Sequence, residues 1–353
     1  MTPAATGRAP APKGRAAAHN PQNRFDRLEI ESEVPGPDRV ATQYLRDASR
    51  SLISRNQSPD VPFDVSLNPY RGCEHGCAYC YARPSHEYLG FSAGLDFESR
   101  ILVKEDAPEL LRRELTSPNW APQTLALSGI TDPYQPVEKK LRVTRRCLEV
   151  LAEMRHPVGL ITKNALVTRD IDLLAELAKY EAVRVNVSVT TLDGGLSAKM
   201  EPRASHPRRR LDAVSKLADA GIPVGVMVAP VVPGLTDHEI PSIVEAAARA
   251  GADGAAYLVM RLPGPVEGIF LSWLERHFPD RKGKVISRLL SLREGKLSDS
   301  RFGTRMRGHG AFAQHMRRAF QLAVRRHGLD RDLPPLRTDA FRAPGRQMGL
   351  FPS

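Results

Sequence analysis

Nowhere does the chain of 353 residues run to the 18 or so consecutive apolar residues that a membrane span needs, and its N-terminus lacks the charged-then-apolar layout of a secretory signal. Both absences predict a cytoplasmic protein that does not enter a membrane. Acidic residues are in the minority, 40 against 51 basic ones, a formal net charge of +11. That excess suits a polyanionic partner such as nucleic acid, although an arginine-rich composition alone can produce it. Residues 301–326 contain arginines from Arg301 to Arg326 and neither Asp nor Glu. Large apolar side chains are sparse in residues 1–40, so this stretch cannot bury enough surface to offset its ordering entropy and reads as a disordered basic tail. Residues 330–353, rich in Pro, Arg and Gly, read as a flexible C-terminal tail.

Cysteine is scarce, but three of the four lie in eight residues, as Cys73-x3-Cys77-x2-Cys80. Three thiolates on one short loop can reach three corners of a cubane iron–sulfur cluster. Ordinary [4Fe–4S] carriers supply four cysteines, so one iron would stay open for a ligand. Gly72 and Gly76 suit the tight backbone that lets the sulfurs converge. Two other readings fit the same thiols. A disulfide needs an oxidising compartment and even pairing. A zinc site needs a fourth ligand, which His75 or His86 can supply, although zinc loops seldom use this spacing.

From about residue 60 the chain alternates β-rich runs (61–67, 124–128, 158–162, 183–189, 223–228 and 255–260) with helical patterns. Asp106 with Glu109, and Thr236 with Glu239, have capping-box spacing; Ser205 and Thr144 are further helix-start candidates, and Gly221 is a helix stop. Six strands alternating with helices imply an α/β fold with a parallel sheet and right-handed crossovers. Six units are too few for a closed (β/α)8 barrel. The cysteine loop follows the first strand and so lies at the C-terminal rim of the sheet. After residue 264 the pattern is helical without strands, giving a division into a tail (1–40), a partial barrel (41–265), a helical extension (266–329) and a second tail (330–353).

The cysteine spacing, with Tyr79 before the last cysteine, resembles the radical SAM superfamily. The longer strings Asn68-Pro69-Tyr70-Arg71-Gly72-Cys73 and Cys80-Tyr81-Ala82-Arg83 are similar to its SplB-like branch, the "DNA repair photolyase" relatives of spore photoproduct lyase. The resemblance spans roughly residues 60–265. It implies a (β/α)6 partial TIM barrel and a [4Fe–4S] cluster on Cys73, Cys77 and Cys80. S-adenosylmethionine then fills the open iron and is cleaved to a 5′-deoxyadenosyl radical. It also distributes the cofactor contacts. Ser128, Thr131 and Asp132 offer acceptors for the methionine ammonium, and Lys163 pairs with the carboxylate or with a substrate phosphate. Ser188, Thr190 and Glu201 accept from the ribose, Arg203 forks onto the carboxylate, and Val228 and Pro230 line the adenine, with Tyr79 beside the cluster. Each has a plainer reading, from a capped Pro-rich turn at 128–136 to a Glu–Arg pair that anchors the next helix.

The branch also implies DNA repair by a lyase-type reaction. Spore photoproduct lyase uses a cysteine near the second strand as hydrogen donor; here residues 127–132 hold none, and Cys147 sits inside a helical pattern. That departure argues against the same thymine-dimer reaction. A nucleic-acid substrate is the preferred expectation. A protein or small-molecule substrate, or a non-catalytic metal-bearing nucleic-acid-binding module, are the rivals. A flavodoxin- or ferredoxin-type reductase is the implied electron donor. Gln347, Leu350 and Phe351 resemble the short peptide by which repair proteins bind the sliding clamp.

Overall fold

The computed structural model describes residues 11–26, 39–331 and 334–343. Ten strands occur in the order β1 (Gln43–Arg46), β2 (Ile53–Arg55), β3 (Val65–Leu67), β4 (Tyr70–Arg71), β5 (Arg100–Val103), β6 (Leu125–Leu127), β7 (Val158–Thr162), β8 (Val183–Ser188), β9 (Val224–Val231) and β10 (Gly254–Val259). Seven of them form the main sheet, β10-β9-β8-β7-β6-β3-β2. The six strands from β3 to β10 are parallel, and only the edge strand β2 runs against its neighbour. Val, Leu and Ala dominate these strands because both faces are covered. β3 and β6 are buried at every position. A second sheet, β1-β5-β4, lies outside the barrel.

Helices spanning Ala107–Leu115, Val143–Glu153, Ile171–Ala178, Pro207–Asp219 and Ile240–Arg249 make the crossovers and bury one apolar face each. The sheet does not close. β3 and β10 stand at opposite ends of the parallel set, and the gap is bridged by side chains. Arg305 pairs with Asp60, its Nη2 donates to Ser58 Oγ at 2.5 Å, and the Gly303 N–H donates to Asp60 at 2.6 Å. Three helices follow, Val266–His277, Pro279–Ser291 and Gly310–His327. No helix among the described residues is long and apolar enough to cross a membrane.

The expected helix-start chemistry is partly replaced. Asp106 makes no side-chain cap and pairs instead with Arg46 at 3.0 Å. Glu239 accepts from Thr191 Oγ1 (2.6 Å) and the Leu192 N–H (2.7 Å), while Thr236 Oγ1 accepts from the Val232 N–H. The helices sit where the pattern places them, but tertiary partners have taken the capping side chains. Gly221, at φ +71°, does end its helix.

The described parts of both tails are packed rather than loose. Arg15, Ala16 and Ala17 are buried. Phe341 packs against the main core and the Arg342 N–H donates to the Met154 carbonyl at 2.9 Å. Gln347, Leu350 and Phe351, the clamp-like residues, lie outside the described residues.

One pH effect follows from the core. His156 is fully buried; its Nδ1 lies 3.1 Å from the Pro157 carbonyl and its Nε2 accepts from Trp120 Nε1 at 3.2 Å, an arrangement that needs the neutral ring. Burial pushes its pKa down to about 4, against the Pro157 hydrogen bond. A histidine with a lowered folded pKa stabilises fully above its unfolded value near 6.5 and loses that contribution as pH falls towards 4. His156→Gln is therefore expected to remove on the order of 2 kcal/mol of the wild-type stability loss between pH 7 and pH 5. Urea midpoints at the two pH values measure it; parallel curves for the two proteins would refute it.

Candidate active site

The cysteine loop leaves β4 and turns over the C-terminal rim of the sheet. Cys73 and Cys77 are buried and Cys80 is half-buried. Gly72 (φ +76°) and Gly76 (φ +63°) make the turns, and neither tolerates a side chain. A Cβ at Gly72 would come 3.0 Å from the Phe97 and Arg100 carbonyls, and one at Gly76 would come 2.7 Å from Glu98 Oε2. The backbone is then tied down residue by residue. The Cys73 N–H donates to the Phe97 carbonyl at 2.9 Å and the Ala78 N–H to the Met200 carbonyl at 3.0 Å. Arg83, fully buried, donates from Nε and Nη2 to the Cys77 carbonyl (3.1 and 2.9 Å) and from Nη1 to the carbonyls of Ala93 and Gly94.

Burial raises the pKa of all three thiols. For Cys73, Asp132 and the other two thiols add to the rise. A metal's positive charge would reverse this balance and favour thiolates. This donor set fits a cubane cluster, which asks for three soft ligands on three different irons. It does not fit zinc. His75 has both ring nitrogens engaged, Nδ1 3.3 Å from Asp132 and Nε2 3.2 Å from Asn164 Nδ2. His86 lies between Phe91 and Phe97 with centroids 5.3 and 5.6 Å away. Among the described residues no group of three or more His, Cys, Asp or Glu side chains forms a site for a single ion.

The residues expected to contact the cofactor fall into three groups. Tyr79, Thr190 and Glu201 come together beneath the loop. Glu201 accepts from the Tyr79 hydroxyl and from Thr190 Oγ1 (2.6 Å) and forms an ion pair with the buried Arg210. Burial alone would raise the Glu201 pKa; Arg210, then Lys163 and the hydrogen bonds, outweigh it and hold the group near 2. Ser188 joins through its carbonyl, which accepts from Arg210 at 3.1 Å. Glu201 thus anchors the following helix through Arg210, and its oxygens are already filled.

Asp132 is likewise saturated. Its Oδ1 accepts from Thr162 Oγ1 (2.7 Å) and the Tyr134 N–H (2.9 Å), and its Oδ2 from the Lys163 N–H (2.7 Å), with His75 beside it. A carboxylate has about four acceptor positions, so Asp132 locks the rim loops together and has none left for an ammonium. Burial opposes its ionisation, yet His75 and these donors lower its pKa to about 2. Ser128 Oγ donates to the Thr131 carbonyl (2.7 Å) and Thr131 Oγ1 to the Tyr70 carbonyl (2.8 Å), which shapes the same turn.

Arg203 departs furthest from expectation. It pairs with Glu74 at 2.9 Å and donates to Thr42 Oγ1 at 3.1 Å, on the outer side of the cysteine loop. A cleft of about 540 Å³ opens there, lined by Tyr44, Glu74, Lys140 and Arg203 among others; it lies behind the loop. Val228 is buried in the core and Pro230 is half-buried, both on β9, which runs further than expected. Lys163 alone keeps an unspent charge. Its ammonium lies 5.9 Å from the Tyr79 ring centroid and lowers the pKa of both Cys77 and Cys80. Among the described residues it has no carboxylate partner.

The residues that sequence reasoning missed hold the loop from outside. Glu98, fully buried, pairs with Arg83 at 2.5 Å and accepts from the N–H groups of Ala16 (3.2 Å) and Ala17 (3.0 Å). Arg15 donates to the Val40 carbonyl (2.9 Å) and Thr42 Oγ1 (2.8 Å), and Arg276 to the Ala16 carbonyl (2.8 Å). The only sequence signal was Arg83 itself, in the string after Cys80.

A model of the radical SAM superfamily matches residues 67–247, just over half of the chain. The chain belongs to the radical SAM superfamily. That family uses a [4Fe–4S] cluster and S-adenosylmethionine. An uncharacterized protein of Mycobacterium tuberculosis is 39% identical over 222 residues, 62% of this chain and 65% of that one. The chain thus spans just under two thirds of that relative's length. A protein of Pseudomonas phage M6 named radical SAM Nalpha-GlyT isomerase is 28% identical over 176 residues, 50% of this chain and 35% of its own. Spore photoproduct lyase complexed with dinucleoside spore photoproduct superposes with a TM-score of 0.56 over 80% of this chain and 79% of that one, at 16% identity. This likeness bears on the fold, an open parallel sheet of the partial-barrel kind.

Proposed function

We propose that Cys73, Cys77 and Cys80 hold a [4Fe–4S] cluster with one iron left to S-adenosylmethionine, and that the protein is a radical SAM enzyme acting on nucleic acid. The observation that carries the cofactor part is the rim itself, where three thiols share one rigid loop and Lys163, after β7, has no carboxylate partner among the described residues. When bound, the cluster and S-adenosylmethionine supply the radical chemistry. The chain's own residues bind, orient and exclude water. Lys163 faces the cofactor carboxylate. Tyr79, Ser188 and Thr190, held by the Glu201–Arg210 pair, shape the ribose wall. Ser128, Thr131 and Asp132 set the rim turn, the half-buried Pro230 would back the adenine with the buried Val228 packed in the core beneath it, and Arg203 steadies the loop through Glu74.

The substrate class rests on the net charge of +11 and on exposed arginines without ion-pair partners among the described residues: Arg317, Arg318, Arg325 and Arg326 on the last helix. It rests also on the names of two similar proteins, one an Nalpha-GlyT isomerase and one complexed with a dinucleoside photoproduct. Residues 127–132 carry no cysteine, and Cys147 is fully buried in the core, so hydrogen return differs from that in spore photoproduct lyase. A cytoplasmic reductase of flavodoxin or ferredoxin type would supply the electron. The test is anaerobic reconstitution with iron and sulfide, then dithionite and S-adenosylmethionine, with 5′-deoxyadenosine read by chromatography. Its appearance supports the reading; none from a fully loaded protein would end it.

A further inference from the structure

One rim cation is left unused by the cofactor. Arg261 follows Met260 just after β10, the last strand of the open sheet, and reaches the cysteine loop that leaves β4. Its guanidinium carbon lies 5.2 Å from the centroid of the Tyr81 ring. Tyr81 directly follows Cys80, and its hydroxyl donates to the Gly129 carbonyl at 2.8 Å, which fixes the ring as a shelf. The side chain is 48% exposed, so the face of the ring is open to a ligand. Ile130, 44% exposed, adds apolar surface next to Gly129.

Among the described residues no carboxylate forms an ion pair with Arg261. The acid that it feels, Asp60, is taken by Arg305 and the Gly303 N–H. Behind it stands Arg293, 1% exposed, which donates to the Met260 carbonyl and whose Nε and Nη1 have no hydrogen-bond partner among the described residues. Burial and then Arg305 lower the Arg261 pKa; burial also lowers that of Arg293, where Asp299 opposes the shift and Arg261 adds to it. Two desolvated like charges are costly unless an anion joins them.

Resting on the nucleic-acid reading above, we propose that Arg261, stacked on Tyr81 and backed by Arg293, is the subsite for a backbone phosphodiester of the target strand. A guanidinium lying on an aromatic face keeps its edge donors for two phosphate oxygens, the forked geometry that lysine lacks. Phosphodiester fits better than a lone carboxylate because the chain leads from Arg305 into the helix that bears Arg317, Arg318, Arg325 and Arg326. A repeating anion can engage them in succession.

Fluorescence polarisation of the full-length, cluster-loaded protein with a labelled single-stranded oligodeoxynucleotide, titrated at several KCl concentrations, tests this. Arg261→Ala is expected to weaken binding on the order of tenfold and to flatten the log–log salt slope by about 0.7, the loss of one phosphate contact. Arg261→Lys is expected to keep the slope and still bind more weakly, because the stack and the fork are gone. Iron content and melting temperature, matched among the three proteins, exclude misfolding. Wild-type slope and affinity in Arg261→Ala would overturn the subsite while leaving the nucleic-acid reading intact. A wild-type protein that binds polyglutamate but no oligonucleotide would overturn both.

Discussion

Replacing Cys77 with alanine is expected to abolish the broad visible absorbance of the reconstituted protein and most of its iron, whereas Cys147→Ala keeps both. Cys77 is at the centre of the loop: it is two turns of hydrogen bonding away from its neighbours, with Gly76 N–H donating to the Cys73 carbonyl and Cys80 N–H to that of Cys77 itself, both at 3.2 Å. Without its sulfur only two ligands remain on the loop, and Lys163, whose charge acts on the Cys77 thiol, cannot ligate while protonated. Cys147 lies inside the helix Val143–Glu153 among Leu148, Leu151 and the strand residues, where it acts as a small apolar side chain. Its removal leaves a cavity of one sulfur and should cost roughly 1–2 kcal/mol of stability, not iron. Equal iron loss in both variants would make Cys147 a ligand and close the iron argued to be open.

Glu98→Leu is expected to be the most damaging substitution outside the cysteines. It leaves Arg83 fully buried with its carboxylate partner gone and strips an acceptor from the Ala16 and Ala17 N–H groups. Breaking a buried ion pair by removing one partner costs about 3–5 kcal/mol. The loss reaches the cysteine loop because the same Arg83 holds the Cys77 carbonyl. Urea midpoints should therefore fall, and iron retained through desalting should fall with them. Truncation of residues 1–24, which removes the two N–H donors but leaves the Arg83–Glu98 pair, should show the same signs at smaller size. A Glu98→Leu protein within 1 kcal/mol of wild type by the same measure and with full iron would disprove this coupling between strap and loop.

The parts of the molecule legible in the sequence are those written locally. A run such as Val158-Gly-Leu-Ile-Thr162 reads as a strand from its own residues, and the three thiols with their flanking strings carry the family resemblance that implies a cluster. Roles set by distant partners were not legible. Asp132 looks like an open rim carboxylate until Thr162, Tyr134 and Lys163 are seen to fill it. Glu201 was expected to meet cofactor or Arg203, but the helix register brings Arg210 to it instead. The poly-alanine and proline composition of residues 11–26 argued for disorder, and on its own strength it would be disordered. It is ordered because Glu98, 81 positions beyond Ala17, offers buried acceptors to its backbone. Tyr81 lies in the string after Cys80, but nothing local to either residue announces that Arg261, 180 positions on, stacks on its ring.

The account turns on one iron that the protein does not ligate. Mössbauer spectra of protein reconstituted with 57Fe, recorded with and without S-adenosylmethionine, address it directly. Three cysteine ligands on a four-iron cluster predict that about a quarter of the iron signal moves when S-adenosylmethionine is added while the remainder stays in place. A spectrum unchanged by S-adenosylmethionine, at full iron loading, would contradict it.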